Sequence, residues 1–328
     1  MASREICLGI EGTAHTFGVG IADSDAKVLA NEQSMYVPKE GGIHPREAAN
    51  HHSEIAGQVI GDAMRKAGLS RKDITVIAFS QGPGLGPCLR TAATAARTLA
   101  ISLDIPIIGV NHCIAHLEIG RAVCECSDPV LLYVSGGNTQ VISYANGRYR
   151  VFGETLDIGL GNMLDKFGRD MGIAFPAGPR IEALASKGKK LVNLPYSVKG
   201  MDVSFSGMLT AAQQMKEESM EDICYSLQET SFSMLTEVTE RAMAHLAKSE
   251  VLLGGGVVRN RRLAEMVGSM CADRGAKCFV PPPSLCSDNG AMIAWTGLIM
   301  HRAGVRMRLE DTGVLQRFRT DDVDVTWI

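Results

Sequence analysis

No apolar run in the sequence approaches the length needed to cross a membrane, which excludes a spanning helix. There is no basic excess either. The formal net charge is −3, so the chain as a whole is no polycation, and any contact with nucleic acid must come from local patches or a partner. The nine cysteines are odd in number and lack CxxC spacing, which argues against a disulfide framework and for free thiols in a reducing cytoplasm. The opening "MASREICLGIEG" runs directly into a strand pattern, so no secretory leader is expected. Aromatics are few, at 5%, whereas glycine (35) and methionine (16) are plentiful. So many glycines outside any low-complexity tract point to tight turns and to loops that approach a ligand. Cys124 and Cys126, in the polar stretch "VCECSDP", read as a surface connection rather than a metal site.

The same plan is written twice. "EICLGI", "FGVGIAD" and "KVLANEQSMYV" form a strand meander, and so do the segments of "PVLLYVSGGNTQVISYANGRYRVFGETLD", where Asn146-Gly147 marks a hairpin. Each meander is followed later by a strand, a glycine loop and a helix: "DITVIAFSQGPGLGPCLRTAATAARTLAISL" in one half, "SEVLLGGGVVRNRRLAEMVGSMCADRG" in the other. Such repetition predicts a duplicated α/β architecture. The boundary falls near Asp128-Pro129, giving lobes 1–128 and 129–328, with the last helix and tail, about 286–328, packing back on the first lobe. A ligand is expected in the cleft between the lobes. Further helices are predicted over 44–69, 221–249 and 286–303, the last with a methionine-rich stripe that reads as core.

Two glycine loops stand at strand ends. "SGGNT" (135–139) offers main-chain N–H groups and two hydroxyls to an anion; "GGGVVRN" (254–260) leads into a helix, whose N-terminus favours phosphate. Neither is a Walker motif. Singly each is a tight turn, but paired in a duplicated fold they favour a nucleotide cleft. His112 and His116 in "NHCIAHLEIG" lie four apart, on one face of a helix, without the glutamate that zinc proteases place directly after the first histidine. A metal there needs further ligands. Asp288 and Tyr133 are candidates, although Asp288 reads equally as a helix cap and Tyr133 as core. Asp165 and Glu182 lie near helix starts in a glycine-dense stretch, where they serve either as caps or as ligand contacts.

The motifs "GIEGTAHT", "HPREAANHH", "QGPGLGPCLR", "GVNHCIAHLEIG", "YVSGGNTQ", "DKFGR", "FPAGP", "LGGGVVRN", "SDNGAMIA" and the closing "QRFRTDDVDVTW" together resemble the tRNA N6-adenosine threonylcarbamoyltransferase family, in its archaeal and eukaryotic branch, the catalytic subunit of the KEOPS complex. The older name of the family is O-sialoglycoprotein endopeptidase. The resemblance covers the whole chain and implies an actin-like, sugar-kinase-like (ASKHA) ATPase fold. It implies transfer of a threonylcarbamoyl group from threonylcarbamoyl-adenylate to N6 of the adenosine 3′ of the anticodon, in tRNAs that read codons beginning with A. It assigns one divalent metal, iron before zinc, to His112, His116, Tyr133 and Asp288. It assigns the adenylate to Tyr133, Ser135, Gly136, Gly137, Asn138, Asp165, Gly178, Glu182 and Asn260, a cleft that ATP or another adenine nucleotide also fits. Glu11, in the first turn, is the candidate proton acceptor; its plain alternative is a carboxylate that only shapes the cleft. Implied partners are tRNA, a small dimerising subunit, a small atypical protein kinase (separate or fused C-terminally) and a further small subunit, with 44–69 as a docking surface. Basic contacts are local: 187–190, 259–262, Arg317 and Arg319. The competing readings are an ATP-dependent kinase or ATPase of the same superfold and a nucleotide-binding regulatory scaffold, neither of which needs His112 or His116.

Overall fold

Continuous apolar runs such as "ICLGIE" and "VIAFSQG" are buried on both faces, as parallel strands covered by helices must be. The structure is a computed structural model and describes residues 5–38 and 42–328; the leader reading of residues 1–4 lies outside the described residues. In chain order the strands are β1 (Ile6–Glu11), β2 (Thr16–Asp23), β3 (Val28–Met35), β4 (Val76–Gly82), β5 (Ile107–Asn111), β6 (Val130–Val134), β7 (Thr139–Ala145), β8 (Arg148–Glu154), the short β9 (Val198–Lys199) and β10 (Asp202–Val203), β11 (Glu250–Gly254) and β12 (Lys277–Phe279). The helices are α1 (Pro45–Ala67), α2 (Gly86–Leu103), α3 (His112–Cys124), α4 (Leu160–Asp170), α5 (Ala177–Ala185), α6 (Ser206–Gln214), α7 (Met220–Leu246), α8 (Arg261–Asp273), α9 (Pro283–Cys286) and α10 (Gly290–Arg302).

Two five-stranded sheets have the orders β3-β2-β1-β4-β5 and β8-β7-β6-β11-β12. They are the same arrangement. In each, the first strand pairs antiparallel with the second and parallel with the fourth, which pairs parallel with the fifth. The duplication read from the sequence is thus a duplication of sheet topology. At the β7–β8 hairpin, Asn146 (φ 53°) and Gly147 (φ 80°) both take left-handed conformations, as a two-residue hairpin turn requires.

By internal contacts the chain forms two units: 1–123 with 146–149 and 288–328, and 124–145 with 150–287. In the first, α10 lies on β1, β2 and β4 backbone against backbone. A Cβ placed on Gly9 or Gly20 would fall on the main chain of Ala294 or Ala291, and one on Gly290 would fall back on Val19 and Gly20. Several of the glycines read from sequence as ligand-approaching loops are therefore seats for a helix on a sheet. In "QGPGLGP", likewise, Gly82 and Gly86 face Leu315 and Gln316, and Gly84 faces Thr13. In the second unit α7, capped by Ser219, sends Ile223, Leu227, Met234, Leu235, Val238 and Ala242 into the core. Cys126 also turns inward, 4% exposed, between exposed Glu125 and Ser127, so the "VCECSDP" connection is only partly a surface one. No helix among the described residues is long and apolar enough to cross a membrane.

Helix α1 is pinned to the β1–β2 turn by buried His52. Its Nε2 lies 3.0 Å from the Ala14 carbonyl, which only accepts, so Nε2 carries the proton. Burial, above all, pushes the imidazole down to about 4. An unfolded histidine titrates near 6.5, so between those values the unfolded chain takes up a proton that the folded chain refuses. This residue's stabilising contribution is whole above pH ~6.5 and is lost as pH falls toward 4. Urea unfolding at pH 7 and pH 5 should show that loss, and His52→Gln should shrink it.

Candidate metal centre

Asn111 ends β5, and its side-chain oxygen accepts from Cys113 N (3.0 Å) and Ile114 N (3.2 Å), capping α3. The cap starts the helix at His112 and sets His112 and His116 one turn apart, with ring centroids 4.8 Å apart and planes at 83°. Every residue from His112 to Gly120 is buried. The third member comes from the other end of the chain. The helix expected over 286–303 is two pieces, α9 and α10, and Asn289 rather than Asp288 caps the second, accepting from Met292 N at 3.0 Å. Asp288 is therefore not consumed as a cap. Its Oδ1 lies 3.3 Å from Nε2 of both His112 and His116, and donor atoms of the three residues fall within 4.8 Å of one another.

Glu11, fully buried at the end of β1, stands behind His112. Its Oε2 is 3.0 Å from His112 Nδ1, while Oε1 accepts from Thr13 N (2.7 Å) and Thr13 Oγ1 (2.5 Å). A carboxylate only accepts, so His112 carries its proton on Nδ1 and turns the Nε2 lone pair toward Asp288. With Nε2 unprotonated both atoms at 3.3 Å are acceptors, and either a proton on Nε2 or a metal ion held between them satisfies the pair. For metal–donor bonds of about 2.0–2.1 Å, tetrahedral ligands stand about 3.4 Å apart, so the separations to Asp288 fit a first-row divalent ion. Burial alone would raise the Asp288 carboxyl, but the neighbouring His112 and His116, when protonated, hold it well below the usual carboxylate range, a charge that a metal cation would replace. Burial pushes the His116 imidazole down, toward the neutral form a metal needs. The asparagine directly before "HCIAH" was a readable cap signal that the sequence reading passed over; Thr13 carried no comparable signal.

The remaining candidates belong to the second unit. The Ser135–Asn138 turn closes on itself (Ser135 N to Asn138 O, 2.8 Å; Asn138 N to Ser135 Oγ, 3.1 Å). The carbonyls of Ser135 and Gly136 accept from Gly161 N (3.1 Å) and Asn162 N (2.9 Å) in the first turn of α4, leaving Gly136 and Gly137 exposed at the tip. Asp165 is midway along α4, not at its start, and accepts from Ala177 N (2.8 Å) at the start of α5. Glu182, inside α5, accepts from Arg261 N (3.0 Å) at the start of α8, and Asn260 caps α8 while donating to Gln228 Oε1 (2.9 Å). The two acids thus tie α4, α5 and α8 around the glycine turn. Gly178 has open space where a Cβ would stand. Tyr133 is fully buried at the end of β6, beside Gly254 of β11. Of the basic clusters, Lys190 pairs with Glu218 and Arg262 forks onto Glu229.

The repeated sheet topology is that of an actin-like ATPase fold, and His112, His116 and Asp288 give it a candidate metal site. Solved structures agree on the fold: HypF of T. kodakarensis superposes with a TM-score of 0.65 at 16% identity, over 90% of this chain and 47% of that one. The activator of the 2-hydroxyisocaproyl-CoA dehydratase from Clostridium difficile, solved with bound ADPNP, superposes at 0.55 and 12% identity, over 92% of this chain and 99% of that one. The family model of tRNA N6-adenosine threonylcarbamoyltransferase matches residues 27–295, and the chain belongs to that family. It is 58% identical over 325 residues to the tRNA N6-adenosine threonylcarbamoyltransferase of Thermococcus kodakarensis, covering 98% of this chain and 99% of that one. It is equally similar to the probable bifunctional tRNA threonylcarbamoyladenosine biosynthesis proteins of Methanothermobacter thermautotrophicus and Methanocaldococcus jannaschii, but spans only 61% and 60% of their lengths.

Proposed function

We propose that this chain transfers the threonylcarbamoyl group from threonylcarbamoyl-adenylate to N6 of the adenosine 3′ of the anticodon, in tRNAs reading codons that begin with A. The observation that carries the reading is the convergence of buried His112 and His116 with half-buried Asp288, in a chain of this family. Two imidazoles and one carboxylate with positions left open suit iron, with zinc as the other candidate. The resemblance adds Tyr133 to the set; the fit argued here rests on the three residues of the first unit. Lewis-acid polarisation of the carbonyl under attack is the chemistry that a metal held there supplies.

The protein's own residues have distinct tasks. In the reaction N6 bonds to the carbamoyl carbon, the bond from that carbon to the phosphate oxygen breaks, adenylate leaves, and the proton that N6 gives up passes to the departing phosphate or to solvent. The Ser135–Asn138 turn, closed on itself, presents the main-chain donors of Gly136 and Gly137 to the adenylate phosphate, where negative charge develops on leaving. Asp165 and Glu182 accept ribose hydroxyls, and Gly178 and Asn260 line the nucleotide. Glu11 orients His112 and fixes its tautomer; with both oxygens so engaged, this role fits its geometry better than proton transfer. Glu11→Gln should weaken metal binding by about 10–100-fold with the fold intact, read by chelator competition. A general base would instead lose a limb of the pH–rate profile while keeping the metal.

We place the reaction in the cytoplasm, with tRNA, a dimerising subunit, a small protein kinase and a further small subunit as partners, the kinase being either separate or joined in one chain. All nine cysteines are free, in keeping with a reducing compartment. The exposed face of α1, with Glu47, Glu54, Gln58, Arg65 and Lys66, is the proposed docking surface. The test supplies the chain and its companion subunits with threonylcarbamoyl-adenylate and unmodified tRNA and analyses the nucleosides by mass spectrometry. Modified adenosine beside the anticodon is expected. ATP hydrolysis without modification would favour the ATPase reading.

A further inference from the structure

Both histidines sit on one helix, and the last part of the chain, in the same unit, is tied to that helix at either end. The segment first docks on the turn after β4: Leu315 N donates to Gln81 O (2.8 Å), Gln81 Nε2 to Gly313 O (2.8 Å) and Gly84 N to Gln316 O (3.2 Å). It then crosses the start of α3, where Asn111 Nδ2 donates to Phe318 O (3.1 Å). The Asn111 amide is thus oriented from both sides, its oxygen by the helix N–H groups it caps and its nitrogen by the crossing segment. Further on, the Thr320 hydroxyl meets the Cys113 thiol, and Asp321 O accepts from Arg148 Nη1 (3.3 Å). The last tie is Trp327 Nε1, which donates to Glu118 Oε1 at 2.6 Å.

Glu118 is two residues beyond His116 and only 3% exposed. Its carboxylate also accepts from Tyr149 OH (2.5 Å) and Arg121 Nη1 (3.2 Å). A buried carboxylate holds its helix to every donor it accepts from, because a lost donor leaves a charged acceptor unsatisfied. The ties at Asn111 and Glu118 therefore bracket His112 and His116. Packing alone would need neither; an apolar segment would cover the helix as well.

We infer that Leu315–Trp327 is a positioning strap for the metal helix, and that Trp327, acting through Glu118, is a positioning residue for the histidine pair. The inference rests on the metal reading above. Once loosened, the strap leaves the fold in place and lets the helix adopt registers in which the donor atoms no longer converge on Asp288.

The test uses Co(II) as a spectroscopic probe on the full chain. Trp327→Phe keeps a ring and removes the N–H; Asn111→Asp keeps the cap oxygen and removes the donor to Phe318. Each variant should release Co(II) about tenfold faster to a chelator, the lower end of the range for groups that support metal ligands, and should show altered visible bands. The melting temperature of the metal-free protein is measured alongside. Wild-type spectra and release rates in both variants, even with lowered melting temperatures, would overturn the inference and leave the strap as packing. No Co(II) binding by the wild type would instead overturn the metal reading itself.

Discussion

His116→Ala is expected to reduce threonylcarbamoyl transfer by more than ~100-fold while the protein still folds. Loss of an outer partner of a metal ligand already costs about 10–100-fold, and loss of a ligand exceeds that. Among the described histidines, cysteines and carboxylates three residues form the cluster, so the variant leaves two of them, His112 and Asp288, below the three protein ligands of an open catalytic site. The effect should fall on transfer and metal content together. Nucleotide binding is expected to persist, because the residues assigned to the adenylate belong to the other unit. The measurement is tRNA modification beside equilibrium nucleotide binding, with circular dichroism to confirm the fold. A variant that modifies tRNA at the wild-type rate would remove the metal from the mechanism.

Gly20→Ala is expected to be a severely damaging single methyl group in the first unit. Gly20 pairs with Gly9 across β1 and β2, and both face α10. The atoms that a Cβ on Gly20 would strike are the main chain of Gly290 and Ala291, which no rotamer change can move aside. Either the helix lifts or the strands part. Overpacking in a well-packed core typically costs 1–3 kcal/mol; with backbone on both sides, about 3 kcal/mol or more is expected. That is a large share of a domain's ~5–15 kcal/mol. At about 2–4 °C per kcal/mol, the melting temperature should fall by roughly 10 °C. Since Asp288 lies immediately before α10, metal binding should weaken as well. Gly57→Ala, on α1 with open space where a Cβ would stand, is the control and should be neutral or stabilising by up to ~1 kcal/mol. A melting temperature for Gly20→Ala equal to that of the control would contradict the packing argument.

Periodicity and turn chemistry made much of the fold legible before any coordinates. The two meanders, the Asn146-Gly147 hairpin and the long α7 are local features, and local features are what residue patterns encode. What escaped was set by contacts distant in sequence. Gly9, Gly20 and Gly290 look like any other glycines until α10 is laid on β1 and β2. Asp288 read equally as a helix cap, because the pattern "SDNG" does not say whether Asp288 or Asn289 does the capping. Asp165 and Glu182 read as helix-start residues, whereas each lies within its helix and receives the first N–H groups of a neighbouring one. The His112–His116 spacing was visible as a helical pair. That Glu11 stands behind His112, about a hundred residues away in the chain, was not.

The central claim is that His112, His116 and Asp288 hold a metal. Its most direct test is the metal content of the protein purified anaerobically without a metal-affinity tag, wild type beside His112→Ala. The account predicts about one iron or zinc per wild-type chain, consistent with a single three-ligand site, and none in the variant. Equal metal in both proteins, or none in either while nucleotide still binds, would contradict it.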